Sequence, residues 1–387
     1  MATYGYNARK KFITEPLGFR GGALEDLEIT AFSNIYRGTS ILLTGHTGFK
    51  GSWLALWLKT LGAEVTGLAL EPNTQPSHWD LLALDMIDKR IDIRDAEKIK
   101  EAINISKPEI VFHLAAQPLV RHSYSNPIDT WSTNVIGTVN LLEACRQQPS
   151  VKAIIVITSD KCYENKERER GYKEGDRLGG HDPYSASKAS AELVVSSYRK
   201  AFFNVPDSPL IASVRAGNVI GGGDWSEDRL IPDMVRAIND NRTLEIRSPN
   251  ATRPWQHILE SLSGYLSLGQ KMLEGKKDFA QAWNFGPDED GNRTVDNVLL
   301  CMKNEWPVLD WKITQSPQPH EANLLYLDSS KAHQYLEWKP VWSIDESIKE
   351  TAAWYRALSE QGKVVSSIQL EKYIKKAQLA GLKWSLN

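Results

Sequence analysis

Cysteine is nearly absent. The 387-residue chain has three, Cys145, Cys162 and Cys301, and no two form a CxxC pair. Neither a disulfide framework nor a zinc site is signalled, and a reducing compartment fits. An excess of one charge sign is missing too. The chain has 46 Lys and Arg against 48 Asp and Glu, a net charge of −2. Nucleic-acid and membrane-surface binding both need a positive field, so neither partner is expected and a small molecule is. No apolar run reaches the roughly 18 residues of a membrane span. The opening "MATYGYNARKKFITEPLGFRGG" lacks the apolar stretch of a signal peptide. A soluble cytoplasmic protein is the expectation. No internal repeat is visible. Tryptophan, by contrast, is plentiful, with 13 copies to anchor a core.

The length suggests about two domains. Residues 1–38 read as an N-terminal extension: a tail, an oligomer arm or a lid. From Ser40 a rhythm begins. "SILLTG" is a strand, "SWLALWLKTLG" a helix ended by Gly62, "EVTGLAL" a second strand, "AEKIKEAINIS" a helix and "EIVFHLAA" a third strand. "NPIDTWSTNVIGTVNLLEACRQ" is a helix with Asn126 as N-cap and Pro127 at its first position. "VKAIIVITS" is a fourth strand, "PYSASKASAELVVSSYRKAF" a helix and "LIASVRAGNVIG" a fifth strand. Alternating helices and near-continuous apolar strands predict an α/β fold, a doubly wound parallel sheet of Rossmann type. Residues 39–220 would be the dinucleotide domain. Residues 221–387 hold Gly/Pro-rich loops ("GGGDW", "SPNATRPWQH", "NFGPDEDGN", "QSPQPHEA") and predict a smaller, loop-rich substrate lobe with interleaved elements and C-terminal helices. Ser343 and Glu346 fit a capping box, and Ile344, Ile348, Ala352 and Tyr355 share the helical face behind it. The charge run "ENKERERGYKEGDR" reads as a solvated loop.

"TGHTGFKG" places Gly45, Gly48 and Gly51 between the first strand and the first helix. That setting predicts a dinucleotide site: a tight turn, a close backbone approach to pyrophosphate, and a helix N-terminus aimed at the phosphates. Glu71 ends the second strand in "LALEP", no Arg stands beside it in the sequence, and NAD is preferred to NADP. Asp92 in "IDIRD" has two readings, an adenine contact or a cap of the helix near Ala96. His113, inside an apolar strand, reads as a satisfied core histidine, and Trp53 and Trp57 as core.

In "DPYSASKASAE", Tyr184 and Lys188 share one helix face. An ammonium there lowers the phenol from about 10 towards neutrality, which suits a general base for a sugar or alcohol hydroxyl. Taken with "HLAAQ" and "ITSDKCYEN", the glycine loop and "YSASK" make residues 40–360 resemble the extended short-chain dehydrogenase/reductases. "LAAQPLVRHSY", "SVRAGNVIGGGDW", "DRLIPD", "RPWQH", "WNFGP" and "PHEA" narrow the resemblance to nucleotide-sugar 4,6-dehydratases.

The resemblance implies a lyase with a tightly held NAD that oxidises carbon 4, eliminates water across carbons 5 and 6, and returns the hydride to carbon 6. It implies Tyr184 as base at the 4-hydroxyl, Lys188 as its partner, and Ser159 as a hydrogen bond to that hydroxyl. Asp160 would be the acid at the departing 6-hydroxyl, and Lys161 the base at carbon 5 or an electrostatic stabiliser of the enolate. Lys161 replaces the Glu of dTDP-glucose enzymes, which points to a CDP-sugar, CDP-glucose. Cofactor contacts would extend to Phe49, Lys50, Ile93, Leu114, Ala115, Ala116, Gln117, Thr133 and Thr158. Arg121, Asn218, Arg253, His320 and Glu321 would line the nucleotide-sugar side, with Trp255 stacking or packing, and Asn134 would support the Tyr–Lys pair or bond backbone. A homodimer or homotetramer is implied. An epimerase on the same scaffold, or a non-catalytic NAD sensor, are the readings to be set against it.

Overall fold

The computed structural model describes residues 31–168, 170–314 and 324–386. Its main sheet starts at β1 (Ser40–Thr44), whose five residues alternate between two apolar layers: Ile41 and Leu43 join one core cluster and Leu42 the other. β2 (Glu64–Ala69) and β3 (Ile87–Arg90) lie on one side of β1. On the other side come β4 (Ile110–His113), β5 (Ala153–Ile157), β6 (Leu210–Ala216) and the strand Ala282–Phe285. All seven run parallel. β4 and β5 are buried at every position, as a doubly covered parallel sheet requires.

Two of the seven strands were not among the five expected. β3 reads "IDKR" and is largely exposed at the sheet edge, so it carries no apolar run. The strand Ala282–Phe285 takes in the first two residues of "NFGPDEDGN", a segment expected to be loop throughout. It pairs with β6 and so carries part of residues 221–387 back into the first sheet.

The helix Phe49–Thr60 is buried on all sides between Gly51 and Leu58, because the C-terminal helices cover its outer face. Trp57 meets Tyr373 edge-on at 5.8 Å, and the Trp53 indole N–H donates to the Gly222 carbonyl at 2.9 Å. Both tryptophans are core, as read. On the opposite face lie the helices Ala96–Ser106, Pro127–Arg146 and Pro183–Ala201. The first is capped by Asp95, which accepts from the Lys98 N–H at 3.1 Å, so Asp92 is not the cap. Asn126 makes no side-chain cap either; its carbonyl accepts from Thr130. The long middle helix passes through a π-helical turn at Ser132–Ile136.

Beyond β6 three short ribbons form around the loops: Val219–Ile220 with Gln256–His257, Thr252–Pro254 with Asn292–Thr294, and Leu244–Ile246 with Trp311–Ile313. The charge run is not merely solvated. Tyr172 within it is buried, stacks on Tyr163 at 5.1 Å, and bonds Tyr326 through its backbone. Among the described residues no helix is long and apolar enough to cross a membrane.

The helix Ile344–Gln361 opens with the capping box expected of Ser343 and Glu346, with bonds of 3.3 and 2.9 Å, and buries Ile344, Ile348, Ala352 and Tyr355. Ser343→Ala should remove about 1 kcal/mol of stability. Urea unfolding would show a lower midpoint at constant slope; an unmoved midpoint would mean the cap is energetically idle.

Candidate active site

The chain leaves β1 for β2 on one side and returns to β4 on the other, so a crevice opens above the carboxyl ends of β1 and β4. The glycine loop fills its floor. Gly45 has φ +75°, and a Cβ there would lie 2.7 Å from the Ala115 nitrogen. A Cβ on Gly51 would lie 2.0 Å from the Gly45 carbonyl oxygen. These two contacts press the helix start against the strand ends. Gly48, the exposed N-cap, leaves the N-terminal N–H groups facing the crevice. Leu114 and Ala115 follow β4 immediately, and the Ala115 N–H donates to Thr44 Oγ1 at 3.1 Å. The cradle fits the pyrophosphate of a dinucleotide, because backbone donors gather where any side chain would block approach.

The far wall is the helix Pro183–Ala201, capped by Asp182 with Pro183 at its first position. It buries Tyr184 and Lys188 on one face. Opposite, after β5, Ser159 caps a short turn Asp160–Cys162 by accepting from the Lys161 N–H at 3.2 Å. The Ser159 hydroxyl donates to Asp160 Oδ1 at 2.9 Å, while the buried Asp160 Oδ2 has no partner. Burial raises the Asp160 carboxyl above its ordinary range, against the pull of Lys161, Ser159 and Lys50. The structure thus brings Ser159, Asp160, Lys161, Tyr184 and Lys188 to one end of the sheet.

The expected drop of the Tyr184 pKa does not occur in the protein alone. Burial pushes it up to about 12, with Asp160 adding to the rise and the Ser159 hydrogen bond and Arg229 opposing it. Lys188 donates instead to the Ile157 carbonyl at 3.3 Å. Its own ammonium is pushed down to about 8, by burial first. Desolvation sets the direction for both.

Asn134 bonds backbone, that of Gln117, and also reaches the Tyr–Lys helix. Its side chain pairs with the Gln117 backbone at 2.8 and 3.1 Å and donates to Ser187 at 2.9 Å, tying the end of β4 to the Tyr–Lys helix. It sits in the π-turn, next to the half-buried Thr133. His113 is a satisfied core histidine, bonded to Thr44 and Thr138. Ala116 continues the segment from β4 to Gln117, and Phe49 comes against Gly221, where a Cβ would lie 3.4 Å from its ring. Lys50 is half-buried, and its ammonium is pushed down to about 8 by burial, then by Arg229.

At the adenosine end Glu71 is 75% exposed and pairs with Arg90 Nε at 3.0 Å. An arginine therefore does stand beside it, hidden from sequence reading because β3 was not anticipated. Asp92 accepts from Arg94 side chain and backbone, and the buried Ile93 packs where a Cβ on Gly137 would go. On the sugar side, Arg121 bridges Asp228 at 3.0 Å. Arg253 is buried on its ribbon and donates to the Thr252 carbonyl, and the Asn218 carbonyl accepts from Gln256. Trp255 packs, with its N–H on the Arg293 carbonyl. His320 and Glu321 lie outside the described residues. Sequence reasoning missed Asp224 and Arg229, paired at 2.9 Å, whose charges reach Lys50 and, from Arg229, Tyr184. Asp224 stands in "GGGDW" and Arg229 in "DRLIPD", two quoted segments in which neither residue was singled out.

The GDP-mannose 4,6 dehydratase family matches residues 42–351. The chain is 49% identical to CDP-glucose 4,6-dehydratase of Salmonella typhimurium, over 84% of this chain and 92% of that one. It is 32% identical to CDP-paratose 2-epimerase of Salmonella typhi, over 81% and 98%. Among solved structures it resembles an epimerase of Methanothermobacter thermautotrophicus (TM-score 0.75, 22% identity, 85% and 95% covered). It also resembles dTDP-glucose 4,6-dehydratase of Bacillus anthracis in complex with NAD (TM-score 0.69, 21%, 84% and 98%). With a glycine cradle, a Tyr–Lys helix and a Ser-Asp-Lys turn converging on one crevice, the chain belongs to the GDP-mannose 4,6 dehydratase family, of the extended short-chain dehydrogenase/reductase type.

Proposed function

We propose that the protein is a CDP-glucose 4,6-dehydratase, converting CDP-glucose to CDP-4-keto-6-deoxyglucose and water with NAD as resident cofactor. The likeness to the Salmonella enzyme over most of both chains supports the substrate. The observation that carries the elimination is the buried, unpartnered Asp160 Oδ2 beside Tyr184.

Bound NAD supplies a hydride acceptor at sugar carbon 4 and a hydride donor at carbon 6. Gly45, Gly48, Phe49, Lys50 and Gly51 would hold its pyrophosphate, and Glu71, Asp92 and Ile93 its adenosine. Leu114 to Gln117, Thr133 and Thr158 complete the cofactor groove. Tyr184 takes the proton of the 4-hydroxyl, with Ser159 orienting that hydroxyl and the Lys188 ammonium stabilising the phenolate. The ketone then formed acidifies the carbon 5 proton, whose loss Lys161 assists as base or as stabiliser of the enolate, and carbon 5 regains a proton when carbon 6 receives the hydride. Asp160, whose raised pKa favours its protonated form, gives a proton to the departing 6-hydroxyl, which leaves as water. Arg253, with Asn218 near it, faces the nucleotide diphosphate, a group suited to a guanidinium fork, and Arg121 faces the active site. Self-association belongs to the same reading, supported by Ile128 and Leu193, which are 81% and 61% exposed on helices packed against each other.

A panel of CDP-, dTDP-, GDP- and UDP-glucose, assayed for 4-keto product by its near-ultraviolet absorbance in alkali, should give turnover with CDP-glucose above all others. Faster dehydration of another sugar would overturn the base preference, and epimer without water loss would overturn the elimination. Tyr184→Phe should lower turnover by about 10²–10⁴-fold with NAD binding retained; full activity removes Tyr184 as base. Because Lys188 must be charged and its ammonium is held down to about 8, turnover should fall as pH rises through about 8. A rate that stays flat well above that pH would take the ammonium out of the mechanism.

A further inference from the structure

Glu192 lies one helical turn beyond Lys188 and two beyond Tyr184, on the same buried face of their helix. Its carboxylate is saturated with donors. Oε1 accepts from Thr158 Oγ1 at 2.5 Å and Arg215 Nε at 2.9 Å; Oε2 accepts from Ser213 and from Arg215 Nη2, both at 2.7 Å. Both members of this ion pair are 3% exposed. The other guanidinium nitrogen, Nη1, donates to the Tyr163 hydroxyl at 2.6 Å and the Glu174 carbonyl at 3.1 Å. Tyr163 in turn donates to Asn284 at 2.8 Å, and its ring lies under the Arg215 guanidinium at 4.9 Å.

Thr158 and Tyr163 are the two residues that flank Ser159–Cys162. Each end of the Ser-Asp-Lys turn is therefore bonded to the same ion pair that grips the Tyr–Lys helix. We propose that Glu192 and Arg215, acting through Thr158 and Tyr163, are positioning residues that lock the Ser159–Lys161 turn against the Tyr184–Lys188 helix.

This rests on the dehydratase reading: oxidation at carbon 4 uses Tyr184 and Lys188 of the helix with Ser159 of the turn, elimination across carbons 5 and 6 uses Asp160 and Lys161, and all must address one bound sugar. A misplacement of about 1 Å can reduce a rate by about 10²-fold. Stability alone does not account for the pair, because apolar residues of similar volume commonly stabilise a core as well as a buried ion pair does. Apolar side chains cannot hold three elements at hydrogen-bond length. Burial works against the Glu192 charge, yet Arg215, Thr158 and Ser213 together hold its carboxyl below the ordinary range, so the clamp stays ionised.

The test uses three variants of the full chain: Tyr163→Phe, Thr158→Val, and the double replacement Glu192→Met with Arg215→Met. Each is assayed with whichever nucleotide glucose the wild-type protein dehydrates. Urea unfolding, kcat, KM and amide hydrogen exchange of residues 159–163 are measured. We expect the two hydroxyl variants to stay near wild-type stability, with KM within about twofold, kcat down about 10- to 100-fold, and faster exchange in the turn. The double variant should do the same if it folds; if it does not, the single variants decide. Wild-type kcat with unchanged exchange, whatever the unfolding midpoint, would overturn the clamp and leave the pair a structural one. A wild-type protein that dehydrates no nucleotide glucose would overturn the function proposed above, and the exchange measurement would still decide the clamp.

Discussion

The crevice depends on two backbone surfaces that meet with no side chain between them. The Gly51 Cα lies so close to the Gly45 carbonyl that a methyl group would overlap it, and Gly45 is pressed in the same way on the residues after β4. That contact fixes where the helix Phe49–Thr60 begins and hence where its unpaired N–H groups point. The buried tryptophans on the same helix hold it from behind, through Trp53 on Gly222 and Trp57 on Tyr373. Small residues at the front and large ones at the back serve one end: a helix that cannot retreat from the strands it faces.

On the other wall, electrostatics follows from dryness. Tyr184, Lys188 and Asp160 are all buried, and each is shifted towards its neutral form. For Asp160 that direction suits an acid. For Tyr184 it opposes ionisation, so the phenol stays protonated in the protein alone. The work of making it a base then falls to the charge that Lys188 keeps. Low dielectric strengthens that interaction as it penalises the ions.

How much of this was legible in the sequence depends on the distance over which a signal acts. Gly45, Gly48 and Gly51 follow at three-residue steps between a strand and a helix, and Tyr184 and Lys188 are four apart on one helix downstream of them, so spacing taken with that setting placed them. β1, β2, β4, β5 and β6 carry apolar runs and were read as strands. β3 was not, because an edge strand exposing Asp88 and Arg90 has the composition of a loop. With β3 unseen, Arg90 could not be set beside Glu71. The Glu192–Arg215 pair joins residues 23 positions apart across a helix and a strand, and no local pattern marks it. Tyr172 was hidden for a different reason: one aromatic in a run of charges is outvoted, although it is the residue that pins the run to the core. The fall expected in the Tyr184 pKa failed because spacing records who is near, and burial, which decides the sign, is a property of the whole fold.

The π-turn at Ser132–Ile136 gives the long helix one residue more than a regular winding would hold. Each residue of an α-helix turns the chain by about 100°. A π-turn spends about one residue more on the same revolution, so removing a single amino acid there would let the winding become regular while the turns on either side kept their mutual orientation. What would go is the widening itself, and with it the place from which Asn134 reaches both Gln117 and Ser187. The surplus residue is spent inward, on one polar tie, and the outer face carrying Ile128 and Ile136 is indifferent to it.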